Sequence, residues 1–136
     1  MSGAKESPAL ALIRYTRNFE SNLKSIESFW IESGFAPGFD RLLDGLEDSV
    51  LPILQRHPRI GRPFARREAR SAEAQAAIAR IQGRVSRIGV HAEVREYVMD
   101  DYVVLYVVAD DVGSVRTMVQ LLAIKHHKQL GDMSAV

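Results

Sequence analysis

The side chains best suited to chemistry in this chain are guanidinium and imidazole groups. Arg95 lies within His91-Ala-Glu-Val-Arg-Glu-Tyr-Val98, and Lys125-His126-His127-Lys128 follows an apolar segment near the C-terminus. A guanidinium offers bidentate donors to phosphate, ammonium groups add compact positive charge, and imidazole titrates near neutrality. Gathered at one place, they would hold a phosphate and move a proton beside it. Arg62, in His57-Pro-Arg-Ile-Gly-Arg-Pro63, is a further cation for such a site. His126 and His127 point to opposite faces if their strand continues, so only one of them can serve.

Each of these residues also has a structural reading. Arg95 can pair with Glu93 or Asp101 across a hairpin. Arg62 can bond carbonyls of its own turn, His57 can close a helix, and Trp30 and Tyr106 can be core residues rather than stacking platforms. Cysteine is absent and the four histidines lack metal-ligand spacing, so neither a metal nor another cofactor is expected.

The elements that must position these groups are legible from periodicity. Leu10 to Tyr15 is compatible with an opening strand, and Thr16 is placed to cap the helix that follows. Phe19, Leu23, Ile26 and Trp30 recur at helical spacing, and Ser33-Gly34 ends that helix. Leu42, Leu43, Leu46, Val50 and Leu54 mark a second helix containing Pro52, which predicts a kink or a restart capped by Ser49. The prolines of the 57–63 segment make a stiff turn. Beyond it, Ala74, Ile78, Ile81, Val85 and Ile88 form the narrow seam of a third helix, ended by Gly89. Tyr102 to Val108 is apolar on both faces and should be a central strand between acidic turns. Residues 115–126 fit a strand or a helix by periodicity alone, and a final strand would complete an antiparallel meander.

At 136 residues the chain fits one domain, and 46% hydrophobic with 26% charged residues reads as soluble and globular. Met1 to Pro8 has no apolar signal core and no run is long enough to span a bilayer, so a cytoplasmic, membrane-free setting is expected. Net charge is only +1, yet ten arginines lie between Arg56 and Arg95 while Glu20 to Asp48 is largely acidic. This asymmetry suits nucleic acid, an acidic protein partner, or solvated helix faces.

Four places, taken in order, carry a resemblance: Ser28-Phe29-Trp30, the His57 to Pro63 turn, Val94-Arg95-Glu96 followed by Tyr102-Val-Val-Leu-Tyr106, and Leu122-Ala-Ile-Lys-His126. Together they resemble the RelE/ParE superfamily, the toxins of bacterial type II toxin–antitoxin modules, also known as plasmid stabilisation proteins. The resemblance implies a single α+β domain over residues 1–136, with an N-terminal strand and helical hairpin packed on an antiparallel sheet that ends in a three-strand meander. The helical insertion at about 66–89 departs from the family pattern, which passes from the turn to the next strand in a short loop.

The resemblance also implies a cognate antitoxin as partner, with a homodimer or a toxin–antitoxin heterotetramer left open. RelE-like members cleave mRNA on the ribosome through attack of the ribose 2′-hydroxyl on the adjacent phosphate. ParE-like members bind and stall DNA gyrase without chemistry of their own. Cleavage is taken first here: Arg95 and His126 would be catalytic, with Arg62, Lys125, His127 and Lys128 binding substrate. Gyrase inhibition is the alternative, and an inactive, partner-binding relative is the third reading. Against cleavage stand an arginine-rich rather than lysine-rich loop before the second strand, and the absence of tyrosine after Tyr106.

Overall fold

The computed structural model describes residues 10–64, 80, 90–110 and 116–126. Strand β1 (Leu12–Tyr15) leads into helix α1 (Arg17–Glu32), then α2 (Pro37–Gly45), a π-helical turn (Leu46–Val50) and α3 (Leu51–Arg56). A two-residue strand β2 (Arg62–Pro63) precedes the long strands β3 (Val90–Met99), β4 (Tyr102–Asp110) and β5 (Thr117–His126). The five-stranded sheet has the order β1-β5-β4-β3-β2. β1 runs parallel to β5, and every other pairing is antiparallel, so the sheet is mixed. The α+β architecture and the C-terminal meander match the expectation, while β2 and the parallel pairing of β1 add to it. Apart from Arg80, the helix expected at 66–89 lies outside the described residues.

Thr16 shows how local chemistry fixes the first turn. Its extended backbone starts α1, and its Oγ1 accepts from the Phe19 N–H at 3.1 Å. The same hydroxyl donates to the carbonyl oxygens of Leu121 and Leu122, at 3.0 and 3.1 Å. This second role has a cause in the sheet. β1 pairs with β5 as far as Tyr15 and Leu121, beyond which that edge of β5 meets no further strand among the described residues. Side chains of α1 take over: Asn18 Nδ2 donates to the Leu122 carbonyl and Asn22 Oδ1 accepts from the Ile124 N–H, both at 3.0 Å. Buried backbone groups need partners, and here a helix supplies what a longer β1 would have supplied. The register slips between Leu105 and Tyr106 at the same level, where Leu122 is skipped on β5.

At its far end α1 stops in a Schellman arrangement. Gly34 adopts φ +84°, its N–H donates to Ile31 O, and Phe35 N–H reaches back to Trp30 O. The rings of Trp30 and Phe35 pack edge to face, 6.0 Å apart, as the accompanying apolar contact. Gly38 lies against the indole so closely that a Cβ there would meet the ring at 2.4 Å.

The irregularity expected at Pro52 is real but takes another form. Backbone angles stay helical from α2 into α3, and the Leu51 N–H bonds to Leu46 O, one residue further back than in an α-helix. The wider turn sits just before proline, where the missing N–H would interrupt the ladder. No Ser49 side-chain cap is made.

The main core lies between these helices and one face of the sheet. Phe19, Leu42, Leu46, Val50 and Leu54 meet Tyr102, Val104, Tyr106, Val108, Val119, Leu121 and Ile124. Leu54 is fully buried, so truncation to Ala should cost about 2–5 kcal/mol. A smaller cluster on the other face joins Leu105, Val107 and Ala123 with Phe64, Ala92, Val94 and Leu122. β4 is therefore buried on both faces over Tyr102 to Ala109, as its continuous apolar sequence requires.

Candidate functional site

Arg95 projects from β3 opposite Tyr106, on the helix-bearing face. Its Nε donates to Glu93 Oε1 at 2.8 Å, and one terminal nitrogen donates to the Gly61 carbonyl. Arg59 reaches the same Glu93 oxygen at 2.5 Å and stands 3.7 Å from Asp110. Asp110 in turn accepts from the Thr117 hydroxyl. Burial pushes the Glu93 carboxyl up, but hydrogen bonds and charge from Arg95 and Arg59 outweigh it and hold the group below the usual carboxylate range.

The turn that carries Arg59 is itself clamped to the sheet. His57 closes α3 by donating its N–H to Ile53 O, and Ile60 N–H returns to His57 O. Gly61 N–H then donates to the hydroxyl of fully buried Tyr106 at 3.0 Å. A Cβ at Gly61 would lie 2.6 Å from both that hydroxyl and the Glu96 carbonyl, so only glycine fits without a shift. Burial raises the Tyr106 phenol above its ordinary value, opposed by the Gly61 hydrogen bond. A neutral phenol that accepts a buried amide proton suits this position.

Arg62 follows immediately but faces the other way. β2 pairs Arg62 with Glu96 and Pro63 with Arg95, so alternation puts Arg62 and Arg95 on opposite faces. Arg62 Nε meets Glu96 Oε1 at 2.5 Å, and the Glu96 side chain is only 7% exposed. Among the described residues, three arginines thus meet three carboxylates at this end of the sheet.

His126 lies elsewhere. It pairs with Tyr102 on β4, whereas Arg95 pairs with Tyr106, four positions along the same strand. At about 3.3 Å per residue, that is roughly 13 Å along the sheet, with β4 itself lying between the two residues. The anion pocket expected from Arg95, Arg62 and His126 together is therefore divided among three places. Register is the reason: all three residues are on strands of one sheet, but pairing sends them to different levels and faces. Lys125 pairs with Val103 and alternates to the face opposite His126. His127 and Lys128 lie outside the described residues.

A second region opens around His126. Its ring meets Tyr102 edge to face at 5.5 Å, and the Tyr102 hydroxyl accepts from Trp30 Nε1 at 3.0 Å. Asn22, Ser25, Ile26, Phe29, Tyr102, Ile124, Lys125 and His126 line a cleft of about 540 Å³ between α1 and β5. Among the described residues, no group of three or more His, Asp or Glu is placed to hold a metal ion. No helix among them is long and apolar enough to cross a membrane.

The Arg95–Glu93 pair that the sequence allowed is present, whereas Arg59 as the second partner of Glu93 and the Tyr106–Gly61 clamp were missed. A partial signal existed for Glu93, because Glu93 and Arg95 are two apart on a strand and so share a face. Nothing in the sequence placed the 57–63 turn over that face.

A small mixed sheet with an α-helical hairpin on one face and a proline-rich turn locked to its end is consistent with a RelE/ParE-like fold. The family model of the ParE toxin of the type II toxin–antitoxin system, parDE, matches residues 13–131, and the chain belongs to that family. A search of curated proteins found no match. The chain is thus a toxin of a toxin–antitoxin pair, and a cognate antitoxin is its partner.

Proposed function

We propose that this toxin acts in the ParE manner, by binding and stalling DNA gyrase without cleaving RNA. The observation that carries this reading is the state of Arg95. A cation meant to hold a pentavalent phosphate must be available to it, and this one is engaged by Glu93 and by the Gly61 carbonyl, with His126 at a distant level of the sheet. The parDE family match agrees with the same reading.

The antitoxin has a suitable groove in the helical hairpin. Phe19, Leu23, Leu46, Leu51 and Leu121 floor a depression of about 230 Å³, with Glu20 and Glu47 beside it. An amphipathic antitoxin segment would place apolar side chains there and basic ones along its edge.

Ribosome-dependent mRNA cleavage keeps one observation in its favour, the open cleft beside His126. Induction in bacteria distinguishes the two. Gyrase–DNA complexes trapped while messages stay intact support gyrase stalling. Mapped mRNA ends within coding frames, lost on Arg95→Ala or His126→Ala, would replace it with cleavage.

A further inference from the structure

Two guanidinium groups converge on a single carboxylate oxygen at the turn end of the sheet, Arg59 at 2.5 Å and Arg95 at 2.8 Å. The two positive groups repel each other, and the shared carboxylate offsets that repulsion. One of the donors is also held in place independently of Glu93. Arg95 is fixed by the Gly61 carbonyl, and Gly61 is fixed by the buried Tyr106 hydroxyl, so the donor geometry does not depend on Glu93 alone. Glu93 contributes its carboxylate from the register shift between Val90 and Glu93 and keeps 37% of its side chain exposed. It can therefore swing out without disturbing the core.

We infer that Arg59 and Arg95 form an anion site for a phosphate group, which Glu93 fills from within the chain and so keeps closed to outside phosphates. A carboxylate and a phosphate oxygen make the same charge-assisted bonds to guanidinium, and the tethered group wins by its effective concentration. Glu93 is then the residue that keeps an arginine-rich toxin off nucleic acid and leaves it for its protein target. Asp110, 3.7 Å from Arg59, adds a weaker second guard. The link to a protein target rests on the gyrase reading, whereas the anion site itself concerns polyanion binding by the toxin alone and is tested on that.

The test uses the full chain and a fluorescein-labelled single-stranded oligonucleotide, read by anisotropy at fixed ionic strength. Glu93→Gln should tighten binding at least about tenfold, and the dependence of log K on log salt should steepen by about 0.7, the value of one extra phosphate contact. Inorganic phosphate, exchanged against chloride at constant ionic strength, should compete with the oligonucleotide on this variant. Adding Arg59→Gln should return binding to the parent level.

Glu32→Gln, the same charge change at the far end of α1, should leave affinity within twofold. Glu93→Asp keeps the charge but shortens the reach, and should tighten binding two- to threefold; it decides the matter if Glu93→Gln does not fold. The inference is overturned if folded Glu93→Gln binds no better than the parent, if Glu32→Gln tightens binding equally, or if phosphate fails to compete.

Discussion

The helix-bearing face of the sheet has two unlike ends. At the Tyr106 end, a turn is locked down by a buried phenol, and Arg59 and Arg95 share one carboxylate. At the Tyr102 end, aromatic rings and the amides and hydroxyls of α1 border an open cleft beside His126. Both ends carry residues of the kinds that bind phosphate. The difference lies in the neighbours: a carboxylate two positions along the strand from Arg95 turns a potential binding group into a structural one. Residue type names a chemistry, and register decides whether that chemistry is available.

The contrast can be broken most severely at Gly61. Gly61→Ala brings a methyl against the Tyr106 hydroxyl and the Glu96 carbonyl and should destabilise the fold by about 1–3 kcal/mol in urea unfolding. A loss below about 0.5 kcal/mol would mean the turn is not clamped. Next comes Arg62→Ala, which leaves the buried Glu96 carboxylate without its partner. The expected cost is about 2–3 kcal/mol, against about 0–1 kcal/mol if this were an ordinary surface pair.

Glu93→Gln sharpens the comparison through pH. The folded Glu93 carboxyl titrates below its ordinary value, so its contribution is present at neutral pH and is lost as pH falls through the folded value. Because the group is partly exposed, the difference from the parent should be about 0.5–1 kcal/mol at pH 7 and should vanish once pH has fallen below the folded value. A difference that persists in acid would assign the effect to packing. The smallest effect belongs to the open end. His126→Ala removes a half-buried ring that packs edge to face on Tyr102 at the side of an open cleft, and should change stability by about 0.5 kcal/mol. Growth inhibition by this variant should stay within about threefold of the parent; loss of an acid or base would instead cost about a hundredfold or more.

Local rules carried much of the fold. Thr16, the Phe19 to Trp30 stripe and Gly34 announced α1 through capping and period, and the apolar run of β4 announced a strand buried on both faces. Pro52 announced an irregularity, although the proline alone did not distinguish a π turn from a break. Pairings between distant residues were not legible. β1 lies beside β5 across more than a hundred residues, and residues 117–126 became a strand because β4 and β1 offered them partners on both edges. The separation of the candidate site residues has the same cause. Spacing along each strand was readable, but the levels at which Arg95, Arg62 and His126 met the rest of the sheet were set by tertiary register.

The most direct measurement is a supercoiling assay, in which purified gyrase acts on relaxed plasmid in the presence of increasing toxin. The account predicts that supercoiling is lost as the toxin saturates the enzyme, that Arg95→Gln with native-like structure inhibits as the parent does, and that antitoxin restores activity. Full supercoiling at saturating toxin, alongside ribosome-dependent cuts in mRNA that require Arg95, would contradict it.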